Sequence, residues 1–343
     1  SQPLSEKEFL DIKLLAERNN FFDSKSVGLV IDKKQKARAS YIDKILSFID
    51  HRKLSPLKIV INSGNGAAGQ VIDKLNEKLV LNGVKTEFVY LHHNPDSSFP
   101  NGIPNPLLEE NRKSTSNLIK REKADFGVAF DGDFDRCFLF DELGNFIPSE
   151  YVVGFLAKVF LNKEIGATII HDTRVIWNTQ DVVNVCEGHA VTSRTGHAFV
   201  KSTMREEGAI YGGEMSAHHY FKDFAYCDSG MIPWLLIWEF LSQNKILLSE
   251  LVSQRKRQFP SSGEINFKVS DAKNCMRLVK DFYSDIAQVI DDFDGLSMCF
   301  DDWRFNLRKS NTEPLVRLNI ETRANKKLLQ MKTKELTNFI VDT

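Results

Sequence analysis

Apolar residues recur along the chain either at helical spacing or in short unbroken runs. Over residues 5–19, Phe9 and Ile12 fall on one helical face, and Ser5 with Glu8 matches a capping box. Beyond this predicted helix, helical patterns and strand-like runs alternate at 39–49, 57–61, 71–81, 86–91, 109–123 and 126–130. This order predicts an α/β unit.

The same alternation returns between residues 151 and 254, at 152–160, 168–170, 177–185, 209–211 and 231–241. From residue 259 the chain instead predicts strands at 264–269, 297–300 and 315–320 and helices at 271–289 and 325–340. We therefore predict two similar mixed α/β domains followed by a C-terminal α+β domain. The predicted bounds are 38–145, 146–256 and 257–343, after a terminal helix and linker at 1–37.

Composition narrows the possible partners. The 343 residues carry 45 Lys and Arg against 46 Asp and Glu, so no overall basic field favours nucleic acid or an anionic membrane surface. No apolar run approaches the ~20 residues of a membrane span. The five cysteines are widely spread and form no Cys-x-x-Cys pair, which is typical of reduced thiols in the cytosol.

Three carboxylates and an arginine lie between two apolar runs, in the stretch Asp131-Gly132-Asp133-Phe134-Asp135-Arg136. Alternate residues of an extended segment point the same way, so the three carboxylates can converge on one hard cation, and Mg²⁺ fits such a set best. An EF-hand would need glycine at the sixth position, where Arg136 stands. A solvated acidic hairpin tip is the structural alternative.

A glycine-rich turn precedes the helical pattern at 71–81. Gly64-Asn65-Gly66-Ala67-Ala68-Gly69 matches the spacing of a dinucleotide-binding turn, with Glu87 further along the chain. The same glycines also suit a tight strand-to-helix turn that binds nothing.

Two further segments are rich in polar groups. In Gly212-Gly213-Glu214-Met215-Ser216-Ala217-His218-His219-Tyr220, alternate positions offer a carboxylate, a hydroxyl and an imidazole, which suit sugar hydroxyls and proton transfer. A polar strand edge is the alternative, and the spacing doesn't match a helical zinc motif. In Arg308-Lys309-Ser310-Asn311-Thr312-Glu313-Pro314, a guanidinium, hydroxyls and an amide form a candidate phosphate cradle or a plain surface turn.

These three segments together, in this order, resemble the α-D-phosphohexomutase family, and the bacterial phosphomannomutases most of all. The resemblance implies Mg²⁺ bound by Asp131, Asp133 and Asp135, and a distal phosphate bound by Arg308, Ser310, Asn311 and Thr312. It also implies sugar contacts from Glu214 and Ser216, and a position for His218 beside the reacting oxygen. Further active-site positions are matched less closely by Arg136, Arg174, His197 and Lys201.

The implied reaction interconverts a hexose 6-phosphate and 1-phosphate through a hexose 1,6-bisphosphate. The family's donor is a phosphoserine in a Thr-Ala-Ser-His-Asn-Pro loop of an N-terminal domain, and that loop doesn't occur in these residues. We therefore expect a truncated phosphomannomutase that is inactive alone, with the helix at 5–19 ending the missing domain. Its expected role is GDP-mannose supply in the cytoplasm.

Other functions stay open at this point. Glucose could replace mannose as the preferred sugar. A metal-dependent phosphatase could use an aspartate of the 131–135 stretch as its nucleophile. A non-catalytic protein could bind sugar phosphates with the same residues.

Overall fold

The computed structural model describes residues 4–19, 21–22, 26, 28–310 and 315–342. Helix α1 (Glu6–Glu17) opens the chain, and the predicted capping box between Ser5 and Glu8 is present. Among the described helices, none is long and apolar enough to cross a membrane.

The first sheet has five strands in the order β2-β1-β3-β4-β5. Its strands are β1 (Lys58–Asn62), β2 (Glu87–Leu91), β3 (Phe126–Phe130), β4 (Cys137–Phe140) and β5 (Phe146–Ile147). It packs with helices α2 (Lys34–Leu46), α3 (Ala68–Leu81) and α4 (Lys113–Glu122). Both faces are covered, because Ile59 and Ile61 join one apolar cluster while Val60 joins another.

The second sheet repeats this arrangement. Its strands are β6 (Thr168–His171), β7 (His189–Thr192), β8 (Tyr211–Gly213), β9 (His219–Phe221) and β10 (Cys227–Asp228). The order is β10-β9-β8-β6-β7, with three parallel strands followed by two antiparallel ones, as in the first sheet. Helices α5 (Ser149–Leu161), α6 (Trp177–Val185) and α7 (His197–Glu206) belong to this unit. The predicted similarity of the two α/β domains is confirmed.

Helix α8 (Met231–Asn244) joins the two α/β units, and helix α9 (Leu248–Gln258) follows it. Trp234 and Trp238 of α8 are fully buried, and both pack edge-on against Phe88 of the first sheet. One apolar cluster runs through both units, so their cores are continuous.

The C-terminal domain is an antiparallel sheet in the order β11-β15-β14-β13-β12. Its elements are β11 (Ser261–Lys268), α10 (Ala272–Tyr283), β12 (Val289–Asp291), β13 (Leu296–Cys299), β14 (Trp303–Lys309), β15 (Leu315–Thr322) and α11 (Lys326–Val341). This domain has an apolar cluster of its own. The predicted fold class is therefore confirmed throughout.

In the C-terminal domain one local prediction is wrong and one strand was missed. The helix expected over 271–289 ends at Tyr283, and the chain returns as β12. Strand β14 was not predicted, although apolar and polar residues alternate along it, with Arg304 and Asn306 at polar positions. Both side chains are buried in the structure, where they hydrogen bond within the domain and across to its neighbour.

Candidate active site

The aspartate loop (residues 131–136) joins β3 to β4, as predicted, but it is a compact turn rather than an extended segment. Phe134 has a positive φ of 54°, which turns the chain back on itself. Carboxylate oxygens of Asp131, Asp133 and Asp135 lie within 4.8 Å of one another. The carboxylates thus converge through the turn and not through strand alternation.

The glycine-rich turn after β1 supports this loop. The backbone N–H of Ala67 donates to the carbonyl of Gly132 at 3.0 Å, and a Cβ on Gly66 would collide with that same carbonyl. Glycine is required here for the close approach of two backbones. This contact favours the tight-turn interpretation of the glycine motif over dinucleotide binding.

The loop offers oxygen ligands suited to a hard divalent cation. Asp131 is buried and accepts hydrogen bonds from the backbone N–H of Arg136 at 3.2 Å and from its Nε at 2.6 Å. Burial nevertheless raises the pKa of Asp131 to about 6, whereas the close imidazole of His218 lowers the pKa of Asp135. Oδ1 of Asp135 is buried and accepts no hydrogen bond from the described residues. An all-oxygen set with an unfilled acceptor fits Mg²⁺.

The loop 214–218, named the sugar loop after its predicted role, joins β8 to β9. This is the same position in the second sheet that the aspartate loop occupies in the first. Ala217 has φ 71°, and the N–H of Glu214 donates to the carbonyl of His218 at 3.0 Å, so this segment is also a turn rather than the extended face expected from the sequence. Glu214 is buried beneath it. Its carboxylate accepts from the N–H of Gly196 at 2.8 Å and from Oη of Tyr220 at 2.6 Å.

His218 connects the two loops. Its Nδ1 lies 3.0 Å from Oγ of Ser216, and its Nε2 lies 3.6 Å from Oδ2 of Asp135. The backbones of His218 and Arg136 also form an antiparallel bridge. Equivalent turns of the two α/β units therefore meet edge to edge.

Arg174 extends the polar surface toward the C-terminal domain. It is buried and held by Asp172, which accepts from Nε at 2.9 Å. Its Nη2 lies 3.4 Å from Oγ of Ser216 and 3.9 Å from Glu214, and its Nη1 lies 3.7 Å from Oε2 of Glu264. The guanidinium thus lies between the sugar-loop residues and β11.

The predicted phosphate cradle begins at the end of β14. Burial, together with the charge of Arg174, lowers the pKa of Arg308. Nε of Arg308 is buried, and none of the residues that the structure describes accepts a hydrogen bond from it. Ser310 is buried, and its N–H donates to the carbonyl of Leu315 at 2.9 Å. The other two predicted members, Asn311 and Thr312, lie outside the described residues.

Helix α7 carries the last two predicted residues. His197 is its first residue and is exposed. Nζ of Lys201 lies 2.9 Å from Oδ1 of Asp228. Asp228 in turn offers a carboxylate oxygen within 4.8 Å of ligand atoms of Asp135 and His218. Lys201 therefore borders the row of polar groups, while no contact with the residues that the structure describes places the His197 side chain in it.

A continuous row of polar groups crosses the three domains, with successive side chains no more than 3.7 Å apart: Asp135, His218, Ser216, Arg174 and Glu264. Arg317 continues it, 3.4 Å from Glu264 and 3.5 Å from Oγ of Ser310. Sequence reasoning did not find Glu264 or Arg317, since each lies in a strand of ordinary alternation, and it did not find Asp228, which lies in a strand of only two residues. A separate cavity of about 410 Å³ is bounded by Tyr151, Phe155 and Val252 and lies apart from this row.

Comparisons with known proteins agree with this arrangement. Family models described as Phosphoglucomutase/phosphomannomutase alpha/beta/alpha domain II, alpha/beta/alpha domain III and C-terminal domain match residues 39–144, 148–259 and 264–337. A phosphomannomutase of Vibrio cholerae serotype O1 is 54% identical over 342 residues, covering 99% of this chain and 73% of that relative. A phosphomannomutase of Escherichia coli K12 is 51% identical, covering 96% of this chain and 72% of the relative.

A solved structure shows the same architecture. The X-ray structure of a phosphoglucomutase/phosphomannomutase family protein from Burkholderia thailandensis matches with a TM-score of 0.82 at 27% identity, covering 98% of this chain and 70% of that one. The resemblance inferred from the three polar segments is confirmed by matches to three consecutive family domains. This chain belongs to the phosphoglucomutase/phosphomannomutase family.

Proposed function

We propose that this chain serves the interconversion of mannose 6-phosphate and mannose 1-phosphate through a hexose 1,6-bisphosphate. The observation that carries the proposal is the row of polar groups from Asp135 to Ser310, which joins the aspartate loop, the sugar loop and the phosphate cradle. Phosphoryl transfer depends on positioning and charge stabilisation, and the row supplies groups for both.

At one end of the row, Asp131, Asp133 and Asp135 would hold Mg²⁺. When bound, the ion supplies positive charge to the oxygens of the transferring phosphoryl group. Arg136 orients Asp131 through its two hydrogen bonds and adds a further cation beside the ligands.

In the middle of the row, Ser216 and Glu214 bind sugar hydroxyls, and His218 moves the proton of the reacting hydroxyl. Ser216 and Asp135 lie on opposite sides of the imidazole and fix its orientation. Hydrogen bonds from Gly196 and Tyr220 orient the Glu214 carboxylate, and its Oε2 also lies 3.5 Å from Nδ1 of His218. Arg174 and Lys201 add positive charge at this centre, and His197 begins the helix that carries Lys201.

At the other end, Arg308 and Ser310 bind the phosphate that doesn't react, together with Asn311 and Thr312. The Arg308 guanidinium is largely desolvated, and its Nε has no acceptor among the described residues, so this N–H is available to a phosphate oxygen. A bisphosphate that turns around would present each of its phosphates to this cradle in turn.

The 343 residues contain no Thr-Ala-Ser-His-Asn-Pro segment. We infer that the phosphoryl-donating serine comes from outside these residues, and that the 343-residue polypeptide doesn't complete the cycle by itself. Identity of 51–54% to two proteins named phosphomannomutase supports mannose as the sugar. A role in GDP-mannose supply in the cytoplasm is part of the same proposal.

Phosphorus NMR of mannose 1-phosphate tests this function. The polypeptide is supplied with Mg²⁺ and a hexose 1,6-bisphosphate, first alone and then joined to the part of the Vibrio cholerae relative that this chain does not cover. We expect mannose 6-phosphate to form only in the joined protein, and faster than glucose 6-phosphate forms from glucose 1-phosphate. Turnover by the 343 residues alone would refute the external donor, and release of inorganic phosphate without isomerisation would identify a phosphatase.

A further inference from the structure

The turn between β12 and β13 contacts the domain that precedes it through one carboxylate. Oδ2 of Asp294 accepts three hydrogen bonds: from the N–H of Thr195 at 3.0 Å, from Oγ1 of Thr195 at 2.7 Å and from Oγ1 of Thr173 at 2.9 Å. All three donors belong to loops of the second α/β domain. Hydrogen bonds to a carboxylate are stronger than those between neutral groups, so this contact fixes both loops.

Neighbouring side chains hold the same turn in place. The guanidinium of Arg194 lies 5.3 Å from the ring centroid of Phe293. From within the C-terminal sheet, Nδ2 of Asn306 donates to the carbonyl of Asp294 at 3.0 Å. Asp294 is therefore anchored by its own domain and presents its side chain to the other.

The loop that Asp294 holds also carries a direct contact to the sugar loop. Gly196, the residue after Thr195, donates its N–H to Oε1 of Glu214 at 2.8 Å. Gly196 has φ 121°, a conformation open mainly to glycine, and it immediately precedes α7 with His197 and Lys201. Displacement of Thr195 would thus displace the donor that orients Glu214.

We propose that Asp294 is a positioning residue, by which the C-terminal domain orients Glu214 and the start of α7 toward the sugar. This assignment rests on the proposed function, in which Glu214 contacts the sugar. It predicts that loss of Asp294 weakens recognition of the hexose and leaves recognition of a bare phosphate largely intact, since the three hydrogen bonds to its carboxylate come from Thr173 and Thr195 and none comes from Arg308 or Ser310.

Two variants test the contact from its two sides. Asp294→Asn removes the charge that accepts the three bonds, and it also removes negative charge near Arg308. Thr195→Val removes the shortest of the three bonds, the one from Oγ1 of Thr195, without any change of charge. Asp292→Asn is the matched control, because Asp292 is exposed, lies in the same turn and pairs with Lys280 of its own domain.

The measurement is isothermal titration of the full 343-residue chain with mannose 1-phosphate and, separately, with inorganic phosphate, both with Mg²⁺. We expect Asp294→Asn to weaken mannose 1-phosphate binding about fivefold or more, the size of one lost oriented hydrogen bond, and phosphate binding less than about twofold. Thr195→Val should act in the same direction, and Asp292→Asn should match the wild type. If Asp294→Asn unfolds the chain, Thr195→Val alone decides the question.

The outcomes separate the two claims. Equal weakening of both ligands would show that Asp294 merely holds the domain in place, and unchanged affinities in both variants would show that it doesn't orient Glu214; either result overturns the assignment alone. Failure of the wild type to bind mannose 1-phosphate would instead overturn the proposed function, and the assignment with it.

Discussion

Arg304 and Glu321 form an ion pair with 2.7 Å between Nη1 and Oε1, and both side chains are almost completely buried. Arg304 also donates to the carbonyls of Thr173 and Arg174, each at 3.0 Å. Glu321 also contacts the start of α6, where its carboxylate accepts hydrogen bonds from the N–H groups of Ile176 at 2.8 Å and Trp177 at 3.0 Å. The C-terminal domain therefore satisfies the helix terminus and fixes the loop that carries Arg174.

Replacement of Arg304 with methionine should strongly destabilise the protein, because Glu321 would be left buried without its cation. We expect a loss of about 3–5 kcal/mol in the free energy of unfolding measured in urea. The control is Arg277→Met, which breaks an exposed pair with Asp281 and should cost less than about 1 kcal/mol. Equal effects of the two replacements would contradict a structural role for the buried pair.

Glu150 should make stability depend on pH. It is buried at the start of α5, and burial raises its pKa to about 7 from an ordinary value of 4.5. The folded state then binds more protons than the unfolded state between these values, so stability falls as pH rises through this window. The expected loss is on the order of 2–3 kcal/mol between pH 4.5 and 7.

Glu150→Gln tests this expectation, since glutamine doesn't titrate. Urea unfolding at pH 5 and at pH 8 should show that the wild type loses more stability than the variant on going to the higher pH. Parallel losses in the two proteins would show that Glu150 is not the group responsible.

Magnesium should stabilise the protein through the aspartate loop. At about 100 times its Kd the ion would add roughly 3 kcal/mol to the free energy of unfolding, which a thermal melt detects as a rise in Tm. Asp135→Asn should abolish most of this rise, because it removes one carboxylate of the converging set. Asp223→Asn, at an exposed position, should keep it. A rise that survives Asp135→Asn would place the ion elsewhere.

Arg308 should contribute directly to phosphate binding. Arg308→Ala is expected to weaken binding of mannose 6-phosphate by about 1.5–3 kcal/mol, the contribution of hydrogen bonds to a charged group. The adjacent Lys309 is exposed and provides the control as Lys309→Ala, which should change the affinity little. Calorimetric titration measures both, and comparable losses in the two variants would indicate a diffuse electrostatic effect instead of a cradle.

Periodicity in the sequence predicted the fold class, because strands such as β3 and helices such as α6 are short apolar patterns with clear ends. The aspartate loop and the sugar loop were found because each concentrates its polar groups within a few residues. Asp294, Arg304 and Glu321 gave no comparable signal. Each contacts residues more than 90 positions away along the chain, so its role appears only when the C-terminal sheet lies against the second domain.

The local geometry of the two loops also escaped prediction. Alternating positions suggested extended segments, whereas positive φ angles at Phe134 and Ala217 make both loops turns. A positive φ at a residue other than glycine is uncommon and is not encoded by the hydrophobic pattern. The carboxylates and His218 therefore meet for a different reason than the sequence suggested.

The central claim is that the aspartate loop, the sugar loop and the cradle form one phosphosugar site. Calorimetric titration of the 343-residue chain with mannose 1,6-bisphosphate and Mg²⁺ tests it most directly, since this ligand spans the site. We expect one ligand per chain, with the affinity reduced separately by Asp135→Asn at one end and by Arg308→Ala at the other. No binding, or binding that neither replacement weakens, would contradict the claim.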